Sequence, residues 1–348
     1  MVHYTEDYWE DVRKTISVIA NIDNLFSHTI LITGATGMIC SSVAEIIMYL
    51  NANRNANIKL ILAGRSLERM KRRFKNFKKD RDYYFLLFDA LHPIEEHIKC
   101  DYIIHGASPA DPYSFSREPV ETIMANIYGL KELLDIARLN KRCKLLYISS
   151  SEVYGQSSSR EPLRERDYGY VDILNPRSCY PSAKRLAETL CASYNHEFGV
   201  EFVIARPGHI YGPTITLSDS RATAQFTRKA AMAEPIVMKS KGAQLRSYCY
   251  SLDCASALLS ILTNGRVGEA YNISNPNSIL TIRDMAELFA KYSGQDVILK
   301  CPEQMELSGY NLMKNSSLNS DKLSSLGWKG VFSPEDGVKA TLKYYIHS

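Results

Sequence analysis

The stretch that most constrains the fold is TILITGATGMICSS, which begins at Thr29. A short β-branched and apolar run enters Gly34-Ala35-Thr36-Gly37, and an apolar helical period follows at once. Glycine lets the backbone turn tightly and come close to a pyrophosphate, whose charge the N-terminus of the next helix then favours. The strand–turn–helix setting marks Gly34, Thr36, Gly37, Met38 and Ile39 as a dinucleotide loop. Where such loops place a third glycine this chain has Cys40, which is small enough to keep the helix close.

The rest of the chain has the rhythm this loop demands. Strand-type runs fall at 29–33, 58–63, 84–88, 101–105, 144–149 and 201–206, with helical periods at 37–50, 66–78, 119–138 and 181–198. Near-continuous apolar strands separated by helices predict a parallel sheet covered on both faces. The fold class is therefore α/β, a Rossmann-type doubly wound sheet. Beyond 207 the rhythm breaks, and helical periods at 222–233, 252–263 and 281–293 alternate with shorter strands. The expected organisation is an extension over 1–28, a dinucleotide-binding domain over 29–206 and a smaller substrate-binding lobe over 207–348. Chain crossings link the two lobes.

Composition narrows the function classes. The chain has 348 residues, 45% hydrophobic and 23% charged, with a net charge of +4. Nothing global calls for a nucleic-acid partner. The basic run 68–82 reads as a solvated surface. No apolar run approaches the roughly 18 residues of a membrane span, and the acidic, aromatic start MVHYTEDYWEDVRK is unlike a signal peptide. A cytoplasmic enzyme is the expectation. The eight cysteines form no Cys-x-x-Cys or Cys/His spacing, so they read as reduced buried thiols and no metal site is expected.

The chemistry concentrates in two motifs. Tyr180 and Lys184 in SCYPSAKRLAETL stand at i, i+4 on one helix face. An ammonium beside a phenol favours phenolate, and such a pair can move a proton at a sugar hydroxyl or carbonyl while hydride moves. One helix earlier, YISSSEVYG ends the fifth strand at the sheet edge where ligands bind. There Ser150 or Ser151 can hydrogen-bond the reacting oxygen, and Glu152 can orient substrate or carry a proton. Asp89 after the third strand either accepts from an adenine amino group or forms a turn, with Ala90 beside it. The small residues of HGASPAD, Ala107 and Ser108 among them, let the backbone pass close to a cofactor.

With these motifs in order, the chain resembles the extended short-chain dehydrogenase/reductases that modify nucleotide sugars. TGATGMI, HGAS, SSSEVYG, NPRSCYPSAKRLAET, RPGHIYGP and RSYCYSLD carry the resemblance over about residues 28–300. It is closest to UDP-glucuronate decarboxylases and dTDP-glucose 4,6-dehydratases. The resemblance implies Tyr180 as acid/base, Lys184 as its tuning cation and ribose contact, Ser150 as hydroxyl partner and Glu152 as the acidic position. It implies a nucleotide-diphosphate grip at Arg246. Arg221 is a second grip or a surface ion pair. A homodimer built on the 119–138 and 181–198 helices is expected by the same resemblance.

Four departures bear on the reaction. His209 replaces the family's Asn in HIYGP, as a reshaped contact or a packed imidazole. Ser151 stands where dehydratases place aspartate, and Met238-Lys239-Ser240 replaces an aromatic-Gly-Asp segment. At the end of the second strand an acid that would bond the NAD ribose is absent, and Gly64, Arg65 and Ser66 stand there. Arginine at that place accommodates a 2′-phosphate, or it faces solvent while NAD binds through the backbone. The leading expectation is an NADP-preferring reductase of a nucleotide-linked keto sugar in capsule or surface-glycan assembly. The alternative is a redox-neutral decarboxylase, dehydratase or epimerase with retained NAD. A non-catalytic nucleotide-binding scaffold is the third expectation.

Overall fold

A computed structural model describes residues 2–77, 83–94, 97–110, 112–216, 219–300 and 313–345. The last five residues of the 68–82 basic run, and Cys301, lie outside the described residues. Strands β1 (Thr29–Thr33), β2 (Lys59–Gly64), β3 (Tyr83–Leu87), β4 (Tyr102–His105), β5 (Lys144–Ile148) and β6 (Glu201–Pro207) form one sheet. Its order is 3-2-1-4-5-6, and every pairing is parallel. A later strand, Ala270–Ile273, adds to its edge beside β6, also in parallel.

The pleat explains the two-sided burial. Leu31 on β1 packs in one apolar cluster with Leu130 and Leu134 of helix α5 (Pro119–Leu139) and Ala187 of helix α6 (Cys179–Phe198). Its neighbours Ile30 and Ile32 pack on the other face, with Val43 and Ile47 of helix α2 (Met38–Arg54) and Leu258 of the helix Ser251–Asn264. Alternate side chains of a strand point to opposite faces, so a strand buried on both must be apolar throughout.

The remaining elements place a second wall over the carboxyl ends of the strands. Strand β7 (His209–Tyr211) leads out of the sheet and pairs in parallel with the strand Leu245–Tyr250, which also takes Ile279–Thr281 and Asn315–Ser316 as neighbours. The segment 251–273 then returns to the main sheet, its helix packed on α2 and its strand at the edge.

The N-terminal segment docks on the back of this frame. Its helix α1 (Glu6–Ile16) packs against α2 and the 251–264 helix. Glu45 of α2 is fully buried; it accepts from the Tyr4 hydroxyl at 2.6 Å and from the Tyr8 hydroxyl, and pairs with Arg73. Among the described residues no helix is long and apolar enough to cross a membrane.

Candidate active site

The glycine loop forms as its sequence demands. Gly34 has φ +67°, and a Cβ there would lie 2.7 Å from the Gly106 carbonyl oxygen, so the loop packs directly on the backbone that follows β4. A Cβ at Gly106 would in turn lie 2.3 Å from the Cys40 sulfur, which fills the gap between α2 and that backbone. Gly37 is the N-cap of α2 and supplies no side-chain acceptor to the first-turn amides. Those donors, at the start of a 17-residue helix, face the main cavity through Gly37, Met38 and Ile39. The cradle fits a pyrophosphate. Thr36 is part of the same turn without lining the cavity, and the Ala107 amide donates to Thr33 Oγ1 at 3.4 Å.

The adenosine side is more open. Gly64 ends β2 opposite Leu87, Arg65 is exposed, and Ser66 caps the helix Leu67–Arg73 by accepting from the Arg69 amide at 3.2 Å. Asp89 accepts from the Leu91 amide at 3.1 Å, which is its turn-forming role, and Ala90 is buried against α5 beside Gly129. None of these residues lines the main cavity.

That cavity, of about 660 Å³, brings Gly34, Ser108, Ser150, Ser151, Glu152, Tyr180, Lys184, His209, Arg221 and Arg246 together. Ser150 lies just past β5, and its hydroxyl accepts from the Glu152 amide at 3.1 Å, turning the chain into the short 3-10 helix Ser151–Tyr154. Tyr180 enters from the first turn of α6, with Lys184 one turn on. The Lys184 ammonium donates to the Ile148 carbonyl at 2.8 Å, 4.6 Å from the Tyr147 ring centre and 5.7 Å from that of Tyr180.

Spacing alone led us to expect an ammonium that depresses the phenol. The structure differs. Burial pushes Tyr180 up to about 12, and the Glu152 charge adds to the rise, while the Ser150 hydrogen bond, Arg221 and Arg177 oppose it. Burial also brings Lys184 down to about 7, although the Glu188 carboxylate holds its proton on. Desolvation outweighs pairing at both groups because each is almost fully enclosed.

Several residues of the site were not singled out in the sequence. Arg177, inside the NPRSCY motif, forms a two-pronged ion pair with Glu152 at 3.0 and 3.1 Å. Phe115 stacks on Tyr180 with ring centres 4.4 Å apart and planes 20° apart. Glu188, one turn beyond Lys184, takes a hydrogen bond from Ser149 at 2.5 Å and a two-pronged pair from Arg206. A charge inside the apolar strand EFVIARP was the available signal for Arg206, since a buried charge needs a partner.

The facing wall is less complete. Arg246 is 2% exposed and, among the described residues, makes one hydrogen bond, to the adjacent Leu245 carbonyl at 2.9 Å. Arg221 is forked onto Asp219 at 2.6 to 3.2 Å. His209 stacks edge-on near Tyr248, and burial with two nearby arginines lowers it to about 3, so its ring is neutral. Its Nδ1 and the Gln244 side-chain oxygen are buried without a hydrogen-bond partner among the described residues.

The model of the NAD dependent epimerase/dehydratase family matches residues 30–274. The chain is 29% identical to UDP-glucuronic acid decarboxylase 1 of Danio rerio over 317 residues, 91% of this chain and 72% of that one. It is 31% identical to UDP-glucuronic acid decarboxylase 6 of Arabidopsis thaliana over 274 residues, 79% of this chain and 77% of that one. Among solved structures, the UDP-glucuronic acid 4-epimerase of Bacillus cereus, in complex with UDP-glucuronic acid and NAD, superposes with a TM-score of 0.76 at 23% identity, covering 91% of this chain and 98% of that one. The dTDP-glucose 4,6-dehydratase of Bacillus anthracis, in complex with NAD, gives 0.75 at 20% identity, covering 91% and 96%.

Proposed function

The chain belongs to the NAD dependent epimerase/dehydratase family, and from that premise we propose that it converts a nucleotide-linked sugar without net oxidation or reduction, with retained NAD, in the manner of a UDP-glucuronate decarboxylase. The observation that carries the reading is one cavity holding Ser150, Glu152, Tyr180 and Lys184 opposite a buried arginine that lacks a carboxylate partner among the described residues. The Gly34–Ile39 cradle would hold the pyrophosphate of NAD, which when bound would supply a hydride acceptor. Tyr180 takes the proton of the sugar hydroxyl at its phenolic oxygen, and Ser150 holds the same oxygen by a hydrogen bond. Lys184 binds ribose and stands one helical turn from the phenol. Glu152 moves or holds a proton at the neighbouring sugar carbon. Arg246 and Arg221 bind the diphosphate, to which a guanidinium fork is suited.

Incubation with UDP-glucuronate and no added reductant tests this. Release of CO₂ and a UDP-pentose by mass spectrometry, with NAD recovered from the denatured protein, is the expected result. Tyr180→Phe should lower turnover by a factor on the order of 10²–10⁴ while nucleotide content is kept. Absence of any UDP-pentose, or full turnover by that variant, would sink the reading.

A second reading is favoured by one observation, the exposed Arg65 at the end of β2 with no acid beside it in GRS. It is the NADPH-consuming reduction of a nucleotide-linked keto sugar, for surface-glycan assembly. Steady loss of NADPH absorbance with a UDP- or dTDP-4-keto sugar would establish it in place of the first. We also propose a homodimer through α5 and α6, which pack side by side and leave Val120, Tyr128 and Leu186 at least half exposed. Light scattering reporting a monomer at micromolar concentration would refute it.

A further inference from the structure

Arg177 stands at the junction of three groups around the phenol. Its guanidinium grips both Glu152 oxygens at 3.0 and 3.1 Å, and its carbon lies 4.8 Å over the Phe115 ring. Phe115 in turn lies flat on Tyr180 at 4.4 Å. The Arg177 and Glu152 side chains are only 12% and 17% exposed, so their charges act through little water. A carboxylate, a cation and two stacked rings therefore form a continuous chain of contacts ending on Tyr180.

We propose that Arg177 is a positioning residue: it holds the Glu152 side chain in place near Tyr180 and clamps Phe115 onto the phenol, so that one side chain sets both the surroundings and the orientation of the proton-transferring group. The proposal rests on the acid–base role given to Tyr180 above. The charged and titratable groups facing Tyr180 are Glu152, Arg177, Arg221, Lys184 and Tyr147. Among them Glu152 opposes ionisation of the phenol, and Arg177 and Arg221 favour it. Arg221 spends its fork on Asp219, leaving Arg177 as the cation paired with Glu152 itself. Removing Arg177 leaves only the Ser150 hydrogen bond and the more distantly engaged Arg221 to oppose the carboxylate's effect on the phenol. Removing both charges cancels the two effects.

The sign of this coupling supplies the test. Turnover of UDP-glucuronate by the NAD-loaded protein is measured against pH, and the position of the rising limb is compared between wild type and variants. Arg177→Met should move that limb to higher pH by roughly one unit, the size a neighbouring charge produces, and thus cut the rate below the limb about tenfold. Arg177→Lys should restore most of the shift. Arg177→Met with Glu152→Gln should bring the limb back toward the wild-type position even if the maximal rate stays low, because Glu152 also serves the chemistry. A purely structural role would lower the rate at every pH without moving the limb, and that result overturns the proposal.

A second measurement needs no substrate. Urea unfolding of the wild type, Arg177→Met, Glu152→Gln and the double variant at pH 7.5 forms a double-mutant cycle, in which the Glu152→Gln change should offset part of the Arg177→Met loss. Additive losses would deny the pair and overturn the proposal by themselves. A wild type inactive on UDP-glucuronate, with a coupled cycle, would instead count against the proposed function and support the pairing.

Discussion

Arg206 and Arg246 are equally buried, each 2% exposed, and their surroundings differ completely. Arg206, near the end of β6, donates to Glu188 at 2.9 and 2.5 Å, to the Tyr154 and Tyr168 hydroxyls at 3.0 and 2.8 Å, and to the Glu165 carbonyl at 2.8 Å. Arg246 on the facing wall has the Leu245 carbonyl alone among the described residues. Its proton is held less firmly because burial is not offset. Removing a cation from water costs several kcal/mol, which only a complete set of partners offsets. The first arginine belongs to the scaffold, whose partners come from the same fold. The second carries a desolvated charge with no carboxylate partner among the described residues, which suits the diphosphate grip proposed for it. The Nδ1 of His209 and the side-chain oxygen of Gln244, which have no hydrogen-bond partner among the described residues, lie on the same wall. Under the proposed function one wall of the cleft is finished by the protein, and the other would be finished by the ligand.

Replacing each arginine by methionine is the most direct way to break this comparison. Arg206→Met leaves Glu188 buried and uncompensated, so urea unfolding should show a loss of about 3–5 kcal/mol. Arg246→Met removes a charge that pairs with no carboxylate among the described residues, so its unfolding free energy should hold or rise. If both variants lose the same stability, the division into a finished and an unfinished wall is wrong.

The second effect is smaller and appears in binding. Titration calorimetry with UDP should show Arg246→Met weakening affinity by about 1.5–3 kcal/mol, roughly 10- to 150-fold, as for loss of hydrogen bonds to a charged group. Arg206→Met, where it folds, should bind UDP within a few-fold of the wild type. The adenosine end gives a third contrast. Arg65 is exposed, so Arg65→Asp should leave stability unchanged and shift any NADP preference toward NAD by about two- to fivefold, the value of one solvent-screened contact. Equal ratios before and after would show that Arg65 faces solvent only.

How much of this could be read from the chain follows the same division. The Gly34–Gly37 loop and the Tyr180/Lys184 pair were legible because their chemistry is local, a turn in one case and four residues of helix in the other. Strand and helix bounds came within a few residues wherever apolar periodicity ran long. The electrostatics were not legible. Glu152 meets Arg177 across 25 residues of loop, and Glu45 meets Tyr4 across 41. No periodicity encodes such pairs. The same holds for Ala270–Ile273, a four-residue run whose return to the sheet edge depends on the helix packed before it. The net direction of the Tyr180 shift was not legible either, because spacing carries no information about desolvation.

Lys184 extends the comparison to a cation that can give up its charge. It is 3% exposed and held to about 7, against an ordinary value near 10.5. The unfolded chain therefore binds this proton more readily between pH 7 and 10, and folding releases it. Stability from this group rises with pH across that window, by roughly 1 kcal/mol per pH unit. Buried thiols such as Cys40, pushed up to about 12, act in the opposite sense once the unfolded thiols begin to ionise. The informative quantity is thus the difference between wild type and Lys184→Met in nucleotide-free protein, unfolded by urea at pH 7.5 and at pH 9. The wild type should gain about 1 to 1.5 kcal/mol relative to the variant over that interval. A constant difference would mean that Lys184 stays fully charged when folded, compensated like Arg206 rather than desolvated like Arg246.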